Sequence, residues 1–266
     1  MSTIDPTARI EDGAVIGEGA TIGPFCMIGP EVVIGPGCRL LGHVQVSGRT
    51  QLGANCTVYP FASLGGPPQI VGHTDSTTRL EIGERCIIRE SVTMNVGSAR
   101  GGGVTRVGNR GYFMNCVHVA HDCKVGDDVI FATSATLGGH CQIGDAVFLG
   151  GLTGIHQFTR IGHGVMVGAV SAVRSDVIPY GMANGQYATL EGLNVVGMKR
   201  RGFNKSRLAM VRTFYRELFH GPGIFAERLA AAASRAGDDP AIDDILAFIR
   251  ADAHRALCFP HGKART

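Results

Sequence analysis

Large aliphatic residues recur at every sixth position along most of the chain. A second position, two residues before each of these, usually holds alanine or cysteine. The six-residue series consists of Ile4, Ile10, Ile16, Ile22, Ile28, Ile34, Leu40, Val46, Leu52, Val58 and Leu64, then Ile82 and Ile88, then Val107, Phe113, Val119, Val125, Phe131, Leu137, Ile143, Leu149, Ile155, Ile161, Val167 and Val173.

A period of six matches neither the 3.6-residue turn of an α-helix nor the two-residue alternation of a long strand. It predicts very short strands with a turn after each, wound as a three-sided prism in which three hexapeptides make one coil. A β-sandwich or a propeller would need longer strands and less regular spacing. The predicted fold is therefore mainly β, a parallel β-helix of hexapeptide repeats.

The period is interrupted twice and then ends. Residues 65–79 and 97–105 are predicted to be loops that leave the prism, and loops on a rigid scaffold often carry binding groups. The predicted domains are a β-helix over 1–185 and a small α-helical domain over 186–266. In the second domain Leu208, Val211, Tyr215 and Leu218 share one helical face, and Asp239 followed by Pro240 is typical of a helix start.

Composition narrows the classes of function. A net charge of +3 is too small to indicate general nucleic-acid binding. We find no signal-peptide pattern and no apolar run of about 18 residues, so we expect a cytoplasmic protein without stable membrane insertion. Six of the eight cysteines fall at the small core position and are predicted to be packing residues rather than disulfides or metal ligands.

Four histidines, His118, His121, His140 and His156, lie within three predicted coils. Because strands in successive coils are about 4.8 Å apart, residues separated by one full coil of three hexapeptides become neighbours. This places His121, Gly139 and Gln157 in one column, and Asp122 with His140 in the next.

Three interpretations of this cluster remain open: solvated surface residues, a zinc site as in the prism-shaped carbonic anhydrases, or an acid/base site. In the third, His121 is a general base, Asp122 orients it, and the Gly139 N–H binds an oxyanion. Those are the parts of an acyl-transfer site that has no covalent nucleophile.

Five motifs, "HVAHDC", "GGHCQIGD", "GGLTGIHQF", "VMVGA" and "GMKRRGF", resemble in order and spacing those of the UDP-N-acetylglucosamine acyltransferases of lipid A synthesis. The resemblance covers nearly the whole chain and implies a left-handed coil. It implies transfer of an (R)-3-hydroxyacyl chain from acyl carrier protein to the sugar 3-position of a UDP-aminosugar, by a homotrimer with sites between subunits. The carrier is a co-substrate, and no other cofactor and no metal are expected.

The resemblance also implies roles for individual residues. His121, Asp122 and Gly139 are the expected catalytic groups, and Met166 and Ala169 the expected end of the acyl pocket. The basic run that contains Lys199, Lys205 and Arg207 is an expected surface for the acidic carrier protein. The expected substrate-binding residues are His118, His140, His156, Gln157, Asn194, Arg200, Arg201, Asn95 and Gln69.

This chain departs from the family pattern at several expected sugar contacts. Ile70 and Val71 begin the stretch where the family has an acid, a leucine and a base, Asn95 replaces a histidine, and Val196 replaces an acid. Loss of a carboxylate that accepts from a 3-hydroxyl suits a 3-amino sugar, so amide formation on a UDP-2,3-diamino sugar is an alternative reaction. Ala169 stands where the family often has glycine, which predicts a slightly shorter acyl chain.

Overall fold

The computed structural model describes residues 2–73, 77–252 and 255–263. Its strands, in chain order, are β1 (Thr3–Ile4), β2 (Arg9–Ile10), β3 (Val15–Ile16), β4 (Thr21–Ile22), β5 (Met27–Ile28), β6 (Val33–Ile34), β7 (Arg39–Leu40), β8 (Gln45–Val46), β9 (Arg49–Leu52), β10 (Thr57–Val58), β11 (Ser63–Gly66), β12 (Arg79–Ile82), β13 (Ile87–Ile88), β14 (Thr93–Asn95), β15 (Val104–Val107), β16 (Tyr112–Phe113), β17 (His118–Val119), β18 (Lys124–Val125), β19 (Ile130–Phe131), β20 (Thr136–Leu137), β21 (Gln142–Ile143), β22 (Phe148–Leu149), β23 (Gly154–Ile155), β24 (Arg160–Ile161), β25 (Met166–Val167), β26 (Ala172–Val173), β27 (Gly181–Asn184) and β28 (Thr189–Leu193).

These strands form three sheets, one on each face of a prism. As far as β26 the strands are parallel, and every third strand along the chain belongs to the same sheet. Most neighbouring residues are paired across one coil of three hexapeptides, as Thr3 is with Thr21. The predicted register is therefore confirmed. The positions of the six-residue series point inward, and from Ile22 onward they are buried, whereas Ile4 at the open end of the prism is exposed.

The two loops occur where the sequence predicted them, although the strands extend further into both ranges. Strand β11 runs to Gly66 and β12 begins at Arg79, so the first excursion spans 67–78. Its residues 74–76 lie outside the described residues. The second excursion ends earlier than predicted because β15 begins at Val104, and it contains a short 3₁₀ turn, Ala99–Gly101.

The predicted boundary at residue 185 does not coincide with the end of the sheet. Strand β28 turns back antiparallel along β27 and extends the first sheet to Leu193. The hexapeptide series had already ended there, so periodicity gave no signal for this hairpin. In the described residues after it the helices are α1 (Val195–Arg200), α2 (Lys205–His220), α3 (Phe225–Ala232) and α4 (Pro240–Ala251), with a 3₁₀ turn at Ala233–Arg235.

The helical segment packs on the end of the prism through buried apolar and polar contacts. The predicted apolar face of α2 is buried, and the Asp239 side chain caps α4 by accepting from the Ala241 N–H. The Tyr180 hydroxyl donates to Asp244 at 2.9 Å, which ties α4 to the coil. Within the described residues, no helix is long and apolar enough to cross a membrane.

Candidate active site

His121 and Asp122 occupy a prism corner directly after β17. Asp122 has φ of +59°, a left-handed conformation that aspartate tolerates better than most residues. Its carboxylate is fully buried, while the His121 side chain is 14% exposed. The two side chains are hydrogen-bonded, with 2.8 Å between His121 Nδ1 and Asp122 Oδ2. This bond leaves Nε2 as the nitrogen of His121 that can meet a substrate.

The second excursion also holds the Asp122 carboxylate. Ser98 donates twice, from its N–H to Oδ1 at 2.8 Å and from its hydroxyl to Oδ2 at 2.6 Å. The Asp122 N–H donates to the Thr105 hydroxyl at 2.8 Å. Gly101 lies so close that a Cβ there would be 2.1 Å from the carboxylate carbon. The loop therefore covers Asp122 and fixes its orientation.

These contacts keep Asp122 ionised although it is buried. Burial raises the pKa of the carboxyl, but the hydrogen bonds from the Ser98 hydroxyl, the Ser98 N–H and His121 outweigh it, and the pKa lies below its usual value. The charged carboxylate fixes the His121 tautomer and stabilises the imidazolium that forms when Nε2 takes a proton.

Gly139 lies beside the imidazole, as the offset of one coil predicted. A Cβ at this position would lie 2.5 Å from His121 Cε1 and 2.7 Å from Nε2, so only glycine fits without displacing the ring. Gly139 is buried, and within the described part of the chain its N–H donates to no other group. Buried N–H groups are nearly always paired, so this donor is available to a substrate atom.

Three other corners indicate what such an N–H binds. At the corner position equivalent to Gly139, the N–H groups of Glu84, Asn109 and Asp127 each donate to a side-chain oxygen of the next coil, at 2.9, 2.8 and 2.8 Å. For Asn109 and Asp127 that oxygen belongs to a carboxylate. The corner peptide thus presents its N–H to anionic oxygens elsewhere in this protein, and at Gly139 the same donor faces the candidate base.

His140 completes the cluster, with its ring centroid 5.1 Å from that of His121. His140 Nε2 lies 3.7 Å from Asp122 Oδ2, and its ring stacks on Phe158 with 4.4 Å between centroids. Burial lowers the pKa of His140, and the nearby His121 lowers it further, against the opposing effect of Asp122. His140 is therefore favoured in its neutral form, which can donate or accept a hydrogen bond.

The remaining predicted sugar contacts lie on the neighbouring face and loop. His118 Nδ1 is 2.7 Å from the Thr93 hydroxyl, and burial, followed by the charge of His121, lowers the pKa of His118. Asn95 donates to the carbonyls of Gly66 and Pro67, and so closes the base of the first excursion, on which Gln69 is exposed. His156 and Gln157 are exposed one coil beyond Gly139. Their substrate roles stay predictions.

A second group of predicted residues meets in a cavity between β25 and α1. Asn194, Arg200, Arg201 and Met166 line a cavity of about 460 Å³. Asn194 also caps α1, since its side chain accepts from the Gly197 N–H at 2.9 Å and donates to the Gly164 carbonyl at 3.0 Å. Ala169 is exposed and does not line this cavity.

The predicted carrier-binding residues differ in their environments. Lys199 and Lys205 are exposed. Arg207 instead binds both carboxylate oxygens of Asp239, at 2.6 and 3.0 Å, and lies over the ring of Phe203. Its side chain is nevertheless a third exposed, so its role in carrier binding stays a prediction.

Among the described residues, one cluster has side chains suited to a metal ion: His121, Asp122 and His140, whose ligand atoms lie within 4.8 Å of one another. It differs from the three-histidine set that the zinc interpretation required. Moreover, Oδ2 of Asp122 already accepts from both Ser98 and His121. The arrangement suits proton transfer better than metal binding.

Comparison with known proteins agrees with this geometry. Residues 176–258 match the family model described as UDP N-acetylglucosamine O-acyltransferase, domain 2. The protein from Azorhizobium caulinodans named acyl-(acyl-carrier-protein) UDP-N-acetylglucosamine O-acyltransferase is 56% identical over 260 residues, which is 98% of this chain and 96% of that one. The identically named protein of Sinorhizobium fredii is 47% identical, over 97% of this chain and 96% of that one.

Solved structures give the same result. The UDP-N-acetylglucosamine O-acyltransferase of Moraxella catarrhalis aligns with a TM-score of 0.92 and 38% identity, covering 96% of this chain and 99% of that one. The predicted fold class, a left-handed parallel β-helix followed by a small helical domain, is thereby confirmed. The chain belongs to the UDP-N-acetylglucosamine O-acyltransferase family.

Proposed function

We propose that this protein transfers an (R)-3-hydroxyacyl chain from acyl carrier protein to the sugar 3-hydroxyl of UDP-N-acetylglucosamine, the first step of lipid A synthesis. The names of the relatives specify the donor and the acceptor. The observation that carries the chemistry is the His121–Asp122 pair beside Gly139, since neither His121 Nε2 nor the Gly139 N–H has a hydrogen-bond partner in the part of the chain that the structure describes.

The proposed reaction proceeds through a tetrahedral intermediate. His121 Nε2 removes the proton from the acceptor hydroxyl as its oxygen attacks the thioester carbonyl. The carbonyl oxygen becomes negative and is bound by the Gly139 N–H, while Asp122 stabilises the imidazolium. Collapse of the intermediate breaks the C–S bond, and the imidazolium returns its proton to the departing phosphopantetheine sulfur. The carrier's phosphopantetheine belongs to a co-substrate, and these steps use no other cofactor.

The cavity between β25 and α1 is proposed to bind the nucleotide end of the acceptor. Arg200 and Arg201 supply guanidinium donors for a diphosphate, although Arg201 Nη2 also donates to the Ala146 carbonyl at 2.7 Å. Both arginines lie on or next to the helix that Asn194 caps. Met166 lines the same cavity beside Ile130 and Phe148. An apolar wall and two arginines in one cavity suit a boundary between the acyl chain and the nucleotide.

The acceptor atom is the finer part of the proposal. The relatives' names specify an O-acyltransferase, which favours the 3-hydroxyl. Ile70 and Val71, which begin the altered stretch, are exposed apolar residues that supply no carboxylate. That observation keeps the 3-amino sugar as the alternative acceptor, with an amide as product.

Two partners complete the proposal. Exposed Lys199 and Lys205 are proposed contacts for the acidic carrier protein, since opposite charge speeds encounter. A homotrimer is proposed from the family resemblance, and exposed apolar corner residues such as Phe25, Phe61 and Leu152 are compatible with subunit contacts. Light scattering of the purified chain tests the trimer.

A competition assay tests the function. Purified protein receives 3-hydroxyacyl carrier protein with equal amounts of UDP-N-acetylglucosamine and its 3-amino analogue, and mass spectrometry identifies the product. We expect the ester to form faster. Faster formation of the amide would show that the acceptor is the 3-amine and not the 3-hydroxyl. No transfer to either sugar would reject the proposed function.

A further inference from the structure

The peptide that joins Gly138 to Gly139 is held from inside the prism by a cysteine. The Cys123 thiol is fully buried and donates to the Gly138 carbonyl oxygen at 3.2 Å. Among the described residues, no other group donates to this carbonyl. In a trans peptide the carbonyl of one residue and the N–H of the next point in opposite directions. A bond that fixes the Gly138 carbonyl inward therefore fixes the Gly139 N–H outward.

This peptide needs such a restraint more than most. It lies between two glycines, which restrict backbone rotation least of all residues. Its flanks are held by the Gly138 N–H, which donates to Ile155, and by the Gly139 carbonyl, which accepts from Phe158, both at 2.9 Å. Those two bonds hold the neighbouring peptides. The orientation of the Gly138–Gly139 peptide plane therefore depends on the bond from the Cys123 thiol.

The equivalent peptide between Gly108 and Asn109 is restrained at both ends. The Cys86 thiol donates to the Gly108 carbonyl at 3.2 Å, and the Asn109 N–H donates to Asp127 at 2.8 Å. At Gly139 the outer bond is absent from the described contacts, because that N–H is the one left for substrate. Among the described contacts, the inner bond is therefore the one made by this peptide itself.

We propose that Cys123 is a positioning residue for acyl transfer: its thiol holds the Gly138–Gly139 peptide so that the Gly139 N–H stays directed at the thioester oxygen. This inference rests on the proposed function. Cys123 does not touch substrate and acts as neither nucleophile nor base.

The protonation state of Cys123 supports a donor role. The hydrogen bond with the neighbouring Cys141 thiol, together with burial, raises the pKa of Cys123 well above its usual value. It therefore remains a neutral thiol with a proton to donate. A hydroxyl also fits at this strand position, since Thr153 Oγ1 lies 3.3 Å from the Gly168 carbonyl oxygen while donating to the Gly150 carbonyl at 2.5 Å.

The test compares variants that remove or keep the donor. Cys123→Ala and Cys123→Val both remove it and bracket the volume of cysteine, and this fold already buries alanine and valine at the same strand position, as at Ala135 and Val117. Cys123→Ser keeps a donor. Cys86→Ala and Cys86→Val are matched controls, because they remove the same inward bond from a peptide whose N–H is held by Asp127.

We expect kcat to fall about tenfold in both donor-free Cys123 variants, less than the 10²- to 10³-fold typical of losing an oxyanion donor outright. KM and the pH profile should stay unchanged, because substrate contacts and base are intact. Cys123→Ser should recover most of the rate, and the Cys86 variants should match wild type. Equal losses at Cys86, no loss at Cys123, or failure of serine to recover the rate would overturn the inference. An inactive wild type would instead reject the proposed function.

Discussion

Replacing Gly139 with alanine adds a single methyl group at the closest contact in the site. The new Cβ would lie 2.5 Å from His121 Cε1, where ordinary contacts are 3.4–4 Å. The backbone at Gly139 is not in the left-handed region, so alanine is tolerated locally. The imidazole must therefore retreat by about 1 Å, which strains its 2.8 Å bond to Asp122.

A displacement of about 1 Å can cost 10²-fold in rate, which corresponds to about 2.7 kcal/mol in the activation barrier. The methyl also crowds the space that the oxyanion would occupy, so we expect kcat to fall about 10²- to 10³-fold. Stability should change by only about 1 kcal/mol, because the fold accepts the backbone.

Steady-state rates and thermal unfolding measured on the same preparations separate these effects. Gly29→Ala is the matched control, since a Cβ at this corner glycine would have no contact closer than 3.5 Å. It should keep wild-type kcat. If Gly139→Ala retained more than about a third of the wild-type kcat, His121 would not need the position that the structure gives it.

Three further predictions concern the groups around this centre. Ser98→Ala removes the hydroxyl bond that helps to lower the pKa of Asp122. Because that pKa should rise, we expect kcat to fall about tenfold and the acid limb of its pH profile to move to higher pH. An unchanged limb would contradict this. Burial lowers the pKa of His118 and of His140, so the unfolded chain binds more protons below about pH 6.5 and the melting temperature should fall there. His118→Asn should make that fall shallower, and identical slopes would refute the assignment. Ala169→Gly should lengthen the preferred acyl chain when mixed acyl carriers compete, and mass spectrometry of the products would detect no change if Ala169 does not limit the pocket.

The repeat made much of the fold predictable from the sequence, because each regular coil adds the same three hexapeptides. The six-residue spacing predicts which positions are buried, and the length of the coil predicts which residues are neighbours across it. The contact between His121 and Gly139 follows from that offset. Phe158, which stacks on His140, could have been found in the same way, since it lies one coil further on.

The contact between Ser98 and Asp122 could not be predicted from the repeat spacing. Ser98 lies in the second excursion, where the register shifts and Ile87 pairs with Tyr112 rather than with the residue one regular coil further on. How that loop folds over Asp122 depends on the short turn at Ala99–Gly101, which has no periodic signal. The engagement of Arg207 by Asp239 was missed for a similar reason, because helices that are distant in sequence meet only through tertiary packing.

The central claim is that His121 removes the proton from the acceptor, and the rate of acyl transfer by His121→Ala tests it most directly. With folding matched to wild type by circular dichroism and melting temperature, we expect a kcat about 10²- to 10⁴-fold lower. A variant that folds normally and turns over within threefold of wild type would contradict it.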